Sequence, residues 1–228
     1  EVWNLMGLAH SPSVVTDGLV IALDAGNTKS YPGSGTTWKN MATEGSFGDA
    51  TLKTGGSLNT YSSNNGGYFS LPRAYITNPG SSPFTTFTYS VWCRTPNVSG
   101  YQSMIDQEND NFLFALLHDD LLIYDPDESV PNSSFTAVVD TWYNFVATHT
   151  HTGPISFYVD GELVHTSSSS YSTSHNFDNW SFGAGGVDSS GDGNEVWDGF
   201  ISSISIYNRS LTASEVAQNY NALKGRYA

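Results

Sequence analysis

The chain has 228 residues, of which 22 are Asp or Glu and 8 are Lys or Arg. The net charge of −14 repels nucleic-acid phosphates, which argues against DNA or RNA as a partner. No uncharged apolar run approaches the roughly 20 residues of a membrane-spanning helix, so we expect no membrane insertion. The 22 Gly, 13 Tyr and 12 Phe favour an all-β fold, because aromatic side chains suit pleated surfaces and glycines form turns. Cys93 is the single cysteine, which excludes an internal disulfide.

The first 15 residues show neither helical nor strand periodicity. They combine the apolar side chains of Trp3 and Leu5 with several polar residues. We interpret residues 1–15 as an arm that docks on another subunit through Trp3 and Leu5. Residues 16–228 are interpreted as one domain, because no repeat or linker divides them.

The first half of the domain shows strand patterns. Leu19–Leu23 is a continuous apolar run, which is typical of a buried strand, and a loop rich in Gly follows at Asn27–Thr36. Phe87–Arg94 alternates, which places Phe87, Tyr89, Val91 and Cys93 on one face and Thr88, Ser90, Trp92 and Arg94 on the other. Further strands are predicted at Phe112–Leu117, Leu121–Tyr124, Phe135–Val139 and Tyr143–Thr150.

The second half of the domain contains the clearest hairpin. Its strands, Ile155–Val159 and Glu162–Val164, are joined by Asp160-Gly161, a pair that accepts the positive φ values of a two-residue turn. After a last strand at Ile201–Tyr207, the sequence from Thr212 onward has a capping box and helical spacing, with Gly225 as the predicted stop. Many short strands and one short C-terminal helix predict a two-sheet antiparallel jelly-roll sandwich.

Four segments occur in an order that carries a family resemblance: Asp17–Val20, Phe87–Trp92, Thr141–Gly161 and Gly199–Glu215. Together they resemble the concanavalin A-like lectin/glucanase superfamily, in particular its laminin G-like jelly-roll branch. The resemblance extends over about residues 16 to 224 and implies the same sandwich that the strand pattern predicts.

Val15–Val20 and Leu23–Trp38 resemble more closely the start of laminin G-like proteins carried by tailed bacteriophages of aquatic bacteria. Such proteins are capsid decoration, collar or tail-fibre components. The resemblance implies a non-enzymatic structural protein on the extracellular virion surface, bound to other virion subunits and forming a homo-oligomer on the particle. Because the family also includes glycan binders, a free carbohydrate-binding lectin or adhesin module is the alternative.

Residues 188–198 alternate oxygen-bearing side chains and place a glycine after the third, as calcium loops do. Asp188, Asp192 and Asp198 are therefore candidate calcium ligands, and Asp24 is a further one. Gly199 stands where an EF-hand has its bidentate Glu, which excludes a complete EF-hand. The alternatives are an ordinary strand connection for the loop and a turn-capping carboxylate for Asp24.

The segment Asp106–Asp110 carries three carboxylates at alternate positions. The glucanase branch of the superfamily uses a similar strand for hydrolysis, but there apolar residues lie between the acids. Here Gln107 and Asn109 separate them, so we predict a solvated loop and no enzyme. A glycan hydrolase acting through Glu108 is the less favoured alternative.

Carbohydrate binding requires aromatic ring faces with polar side chains beside them. The candidate glycan-binding pairs are Trp197 with Asn194, and Tyr124 with Asp125. Both pairs are also compatible with packing inside the sandwich. We expect the loops to bind cell-surface glycans.

Overall fold

The computed structural model describes residues 12–77, 85–107, 112–125, 128–129, 133, 135–167, 179–187 and 193–227. These residues form sixteen strands, one α-helix, α1 (Ala213–Leu223), and a 3-10 turn at Lys224–Arg226. The strands are β1 (Leu19–Asp24), β2 (Thr37–Trp38), β3 (Ala50–Leu52), β4 (Thr60–Ser62), β5 (Tyr68–Ser70), β6 (Ala74–Thr77), β7 (Phe87–Arg94), β8 (Tyr101–Gln107), β9 (Phe112–Leu117), β10 (Asp120–Asp125), β11 (Glu128–Ser129), β12 (Tyr143–His149), β13 (Ile155–Val159), β14 (Glu162–Thr166), β15 (Asn179–Phe182) and β16 (Phe200–Tyr207).

The strands form two antiparallel sheets that pack as a sandwich, as the sequence predicts. Sheet 1 has the order β14-β13-β12-β7-β16-β5-β4, and β1 also pairs with β16. Sheet 2 has the order β11-β10-β9-β8-β15-β6-β3-β2. In sheet 1, β5 pairs with the start of β16 and β1 pairs with the remainder. Both ends of β16 are therefore fixed by neighbouring strands.

The core lies between the sheets and is rich in aromatic side chains. The predicted alternation of β7 is confirmed, because Phe87, Tyr89, Val91 and Cys93 are all fully buried in the core. Tyr89 stacks on Phe87 with ring centroids 4.5 Å apart and meets Trp180 of sheet 2 edge-on at 5.7 Å. Such contacts join the two sheets, and each buried aromatic ring contributes roughly 1.5–3 kcal/mol through removal from water.

Helix α1 covers part of the outer face of sheet 1. The predicted capping box is present: Thr212 Oγ1 accepts from the backbone N–H of Glu215, and the Glu215 carboxylate accepts from that of Thr212. The helix buries Val216 against the sheet in an apolar cluster with Leu19 and Tyr207. A 3-10 turn continues through Gly225, so the predicted stop lies inside this turn rather than after the helix.

Two local predictions have different outcomes. The Asp160-Gly161 turn is confirmed, with φ values of 53° and 85° and β13 and β14 paired on either side. The strand predicted at Phe135–Val139 is wrong, because these residues form no ladder. Val138 is 58% exposed, whereas Ala137 is buried in the core and Phe135 packs against it, so this segment packs on the sandwich without joining a sheet. In the described part of the chain, no helix has the length and apolar character needed to span a bilayer.

Candidate functional site

Trp197, a predicted sugar platform, is fully buried in the core. Its indole N–H donates to the Phe200 carbonyl oxygen over 3.3 Å. Because neither ring face reaches solvent, Trp197 is a packing residue, and the prediction of a glycan contact does not agree with this position. Its predicted companion Asn194 is exposed and pairs through its backbone with Gly185.

The second predicted pair lies on the outer face of sheet 2. Tyr124 is half-buried and meets Tyr101 edge-on, with ring centroids 6.4 Å apart. Both tyrosines pack against an apolar cluster that includes Leu113 and Leu122. The backbone of Asp125 pairs with Glu128, and the Asp125 side chain lies outside the described residues. A glycan contact at Tyr124 stays a prediction.

The candidate calcium ligands are not brought together by the described residues. Asp188 and Asp192 lie outside them, while Asp198 is exposed and its backbone N–H donates to Gln102 Oε1. Both carboxylate oxygens of Asp24 accept from Arg226 Nη1, at 2.9 and 2.8 Å. No group of three His, Cys, Asp or Glu side chains suited to a metal ion occurs in the described ranges. Calcium binding stays a prediction, and Asp24 has a cationic partner within the chain.

Three other predictions fall on or near residues that are not described. Trp3 and Leu5 of the proposed docking arm and Glu108 of the hydrolase alternative lie outside the described residues. Asp106 belongs to β8 and is fully buried, so the interpretation of this position as solvated loop is wrong. Its Oδ2 accepts from the backbone N–H of Gly186 at 2.6 Å, which shows that the segment following β15 packs over this strand.

The structure does assemble a surface that sequence reasoning missed. The aromatic–arginine patch consists of Tyr68, Arg94, Trp142, Phe200 and Tyr227, all half-buried. Phe200 of β16 pairs directly with Arg94 of β7, and their neighbours along the strands point into the core. Side chains alternate across a strand, so Phe200 and Arg94 lie on the outer face of sheet 1.

The four rings of the patch lie at angles to one another. Tyr68 meets Phe200 edge-on with centroids 5.1 Å apart, and its ring is 5.7 Å from that of Trp142. Trp142 is 5.0 Å from Tyr227 at an interplanar angle of 39°. Tilted rings of this kind pack favourably and present both edges and faces toward a ligand.

Arg94 supplies a positive charge within this aromatic surface. Its guanidinium carbon lies 4.4 Å from the Phe200 ring centre and 5.8 Å from that of Trp142. Arg94 Nε and Trp142 Nε1 have no hydrogen-bond partner among the described residues. Both of these nitrogens are buried, so Arg94 contributes to this surface as a positive charge packed on ring faces rather than through its Nε–H.

The C-terminal segment fixes one side of the patch. Tyr227 stacks on Trp92 with centroids 4.1 Å apart, and its hydroxyl hydrogen-bonds that of Ser202 at 2.7 Å. Burial raises the pKa of Tyr227 to about 12, so its phenol is neutral throughout the physiological range. The adjacent Arg226 binds Asp24 and holds this segment against the end of β1.

The chain belongs to the concanavalin A-like lectin/glucanases superfamily, since a laminin G family model of that superfamily matches residues 63–217. The match confirms the superfamily that the strand segments predicted. It includes four of the five patch residues and excludes Tyr227. A sequence search of curated proteins finds no match.

Solved structures with the same fold include two botulinum neurotoxin structures. The binding domain of botulinum neurotoxin DC in complex with SialylT is 15% identical with a TM-score of 0.65. A structure of botulinum neurotoxin type C, whose entry into cells depends on two ganglioside molecules, is 16% identical with a TM-score of 0.64. Each alignment covers 92% of this chain and 52% of the toxin chain, so this chain spans about half of either.

Trypanosoma rangeli sialidase in complex with sialic acid is a third structure with this fold. It is 15% identical with a TM-score of 0.62, over 94% of this chain and 34% of the sialidase. Identities this low establish a shared fold alone.

Proposed function

We propose that this domain is a non-enzymatic glycan-binding module exposed on the surface of a tailed-phage virion. The observation that carries the glycan-binding part is the aromatic–arginine patch. Pyranose rings have apolar C–H faces that pack on aromatic rings and hydroxyls that require donors and acceptors. The patch offers ring faces from Tyr68, Trp142 and Phe200 beside the guanidinium of Arg94.

The comparisons support this proposal through the fold. The chain has the lectin-like sandwich of its superfamily. Of the structurally similar proteins, botulinum neurotoxin type C interacts with gangliosides and the sialidase was solved in complex with sialic acid. This chain corresponds to about half of the toxin chain and about a third of the sialidase chain, so the ligand contacts of those proteins do not identify particular residues of this one. The patch is the independent evidence from this molecule itself.

The non-enzymatic part rests on the chemistry of the patch. Glycoside hydrolysis generally uses two carboxyl groups on either side of the scissile bond. None of the five patch side chains is a carboxylate, whereas four are aromatic and one is a cation. Such a surface can bind and orient a sugar but lacks the pair of carboxyl groups that this mechanism uses.

Placement on a virion rests on the resemblance of residues 15–38 to the start of phage laminin G-like proteins. The test is mass spectrometry of purified particles from the source, with the copy number of this chain determined against the major capsid protein. Hundreds of copies indicate capsid decoration, and a small multiple of three or six indicates a collar or tail. Absence from particles contradicts virion placement and favours the free lectin alternative.

Glycan binding is tested by a glycan array followed by titration of the bound sugars with wild type, Trp142→Ala and Trp142→Phe. We expect Trp142→Ala to weaken binding about tenfold, since an aromatic contact contributes roughly 1–1.5 kcal/mol, and Trp142→Phe to retain most of it. Tyr124→Ala tests the candidate contact on the other sheet, and binding at the patch requires this variant to bind as wild type. Loss of binding in Tyr124→Ala but not in Trp142→Ala would place the site on sheet 2 instead.

A further inference from the structure

An open cavity of about 340 Å³ lies in the connection between β1 and β2, apart from the aromatic–arginine patch. Lys29 and Lys39 line it together with five residues that bear hydroxyl groups, which are Thr28, Ser30, Ser34, Thr36 and Thr37. No carboxylate lines the cavity. Its volume is within the range of small-molecule sites and accommodates a mono- or disaccharide unit. The cavity also lies outside residues 63–217, the part of the chain that matches the family model.

The walls of this cavity are fixed by buried side chains. Ser30 is 1% exposed, and its hydroxyl donates to the carbonyl oxygen of Lys39 at 2.6 Å. The Lys39 backbone N–H in turn donates to the carbonyl oxygen of Ser30. Tyr31 is 4% exposed, packs edge-on against Phe69, and donates through its hydroxyl to Gly35. The backbone N–H of Lys29 donates to Asn27 Oδ1 at 3.0 Å. The backbone of both lysines is therefore held in place before any ligand arrives, which lowers the entropy cost of binding.

The charge of the cavity contrasts with that of the molecule. The chain has a net charge of −14 and only four lysines, of which two line this one cavity. The four arginines and Lys224 have partners: Arg209 and Arg226 bind carboxylates, Arg73 binds carbonyl oxygens, and Arg94 and Lys224 lie over aromatic rings. For Lys29 and Lys39, the described residues provide neither a carboxylate nor a ring. Two exposed ammonium groups in one cavity attract an anion, because their fields add.

We propose that this cavity binds the acidic group of an anionic saccharide, with Lys29 and Lys39 contacting a carboxylate or sulfate and the surrounding hydroxyls contacting the sugar. Ammonium groups donate charge-assisted hydrogen bonds to such anions, and Ser and Thr hydroxyls both donate and accept, as sugar hydroxyls require. This inference rests on the proposed glycan-binding function and specifies the chemical class of the glycan.

The test is calorimetric titration of the full chain with lactose, 3′-sulfolactose, which adds only a sulfate to lactose, and 3′-sialyllactose, which adds a sugar that bears a carboxylate. We expect both acidic sugars to bind about tenfold or more tightly than lactose, with the difference reduced by added salt. Lys29→Gln and Lys39→Gln should each remove about tenfold in affinity for the acidic sugars and leave lactose unchanged. Lys224→Gln removes the same charge outside the cavity and should bind all three as wild type.

Several results would overturn the inference while leaving glycan binding intact. One is equal affinity for lactose and the acidic sugars; another is unchanged acidic-sugar binding in both cavity variants together with loss in Trp142→Ala. Inorganic sulfate that competes as strongly as 3′-sulfolactose would show an anion site without sugar recognition, which also contradicts the proposal. Thermal unfolding of each variant distinguishes lost contacts from lost folding. A glycan array with no binding to any sugar would reject the proposed function itself.

Discussion

At the scale of single residues, Asp24 has a cationic partner within the chain. The sequence made its carboxylate a candidate calcium ligand, and the fold places Arg226 Nη1 within 2.9 Å of both its oxygens. Asp24 Oδ1 also accepts from the backbone N–H of Gly26, which caps the turn after β1. Asp24 thus has the turn-capping role that was its alternative interpretation, and in addition it anchors the C-terminal segment beside Tyr227.

A second residue-scale feature is the ion pair between Arg209 and Glu215. The guanidinium donates to both carboxylate oxygens, at 3.0 and 2.6 Å, and lowers the pKa of Glu215 to about 2. The pKa of this carboxyl is lower in the folded than in the unfolded state, where it is about 4.5. The stabilisation is therefore complete above pH 4.5 and is lost as the pH falls toward 2.

Replacement of Glu215 by Gln tests this pH dependence. Gln retains a side chain suited to the capping box but has no charge, so the free energy of unfolding of the variant should fall less steeply than that of wild type between about pH 4.5 and 2. Urea unfolding at several pH values measures the difference. Parallel curves for the two proteins would mean that Glu215 has the same pKa in the folded and unfolded states, which contradicts the proposed effect of the ion pair.

At the scale of elements, the β13–β14 hairpin depends on a glycine that also faces helix α1. Gly161 has a φ of +85°, and a Cβ at this position would lie 3.1 Å from Cβ and Cδ1 of Tyr220. Tyr220 stacks on Trp92 of β7, so the hairpin, the helix and the central strand meet at this point. A side chain at 161 would disturb the turn and the helix together.

We expect Gly161→Ala to lower the free energy of unfolding by about 1–3 kcal/mol, through backbone strain and crowding against Tyr220. Gly100→Ala is the matched control, because Gly100 has a similar φ of +72° and its added Cβ would have no neighbour within 4 Å. The control should show only the strain contribution, of the order of 1 kcal/mol. Chemical unfolding of both variants measures the two costs, and equal losses would show that crowding against Tyr220 has no effect.

The elements also show what a sequence of this kind can and cannot predict. The alternation of β7, the Asp160-Gly161 turn and the capping box of α1 are local patterns, and the structure confirms them. Asp106 is buried, contrary to the predicted solvated loop, and Trp197 has the packing role that was its alternative interpretation, since burial depends on what the rest of the fold places over a residue. An aromatic beside Asp and Asn in sequence therefore does not identify a surface ring.

The aromatic–arginine patch could be predicted only in part. The alternation of β7 already placed Trp92 and Arg94 on the face opposite the core, which was the available signal. The other patch residues come from β5, from the residue before β12, from β16 and from the C-terminal segment, and only the sheet order brings them together with Arg94. The sequence predicts only a loop in the region of Lys29 and Lys39. It cannot predict the cavity, because it does not show which cations lack carboxylate partners in the folded chain.

At the scale of the whole molecule, the N-terminal residues join the arm to the domain. Two backbone groups of Val15 are bound: its N–H donates to Asn219 Oδ1, and its carbonyl oxygen accepts from the Tyr207 hydroxyl. The carbonyl oxygen of Ser13 accepts from Gln218 Nε2. The described contacts between this segment and helix α1 thus begin at residue 13, slightly before the boundary at 15 that periodicity suggested.

Two deletions separate the arm from the domain. Removal of residues 1–12 keeps all three hydrogen bonds and should leave the melting temperature close to that of the full chain. Removal of residues 1–15 loses these hydrogen bonds, which should cost about 2–3 kcal/mol of folding free energy and lower the melting temperature by several degrees.

If the arm docks on other virion subunits through Trp3 and Leu5, removal of residues 1–12 should also abolish incorporation into particles although the fold is intact. Normal incorporation of this stable deletion would contradict the docking role, whereas a large loss of stability would show that residues 1–12 are part of the folded domain.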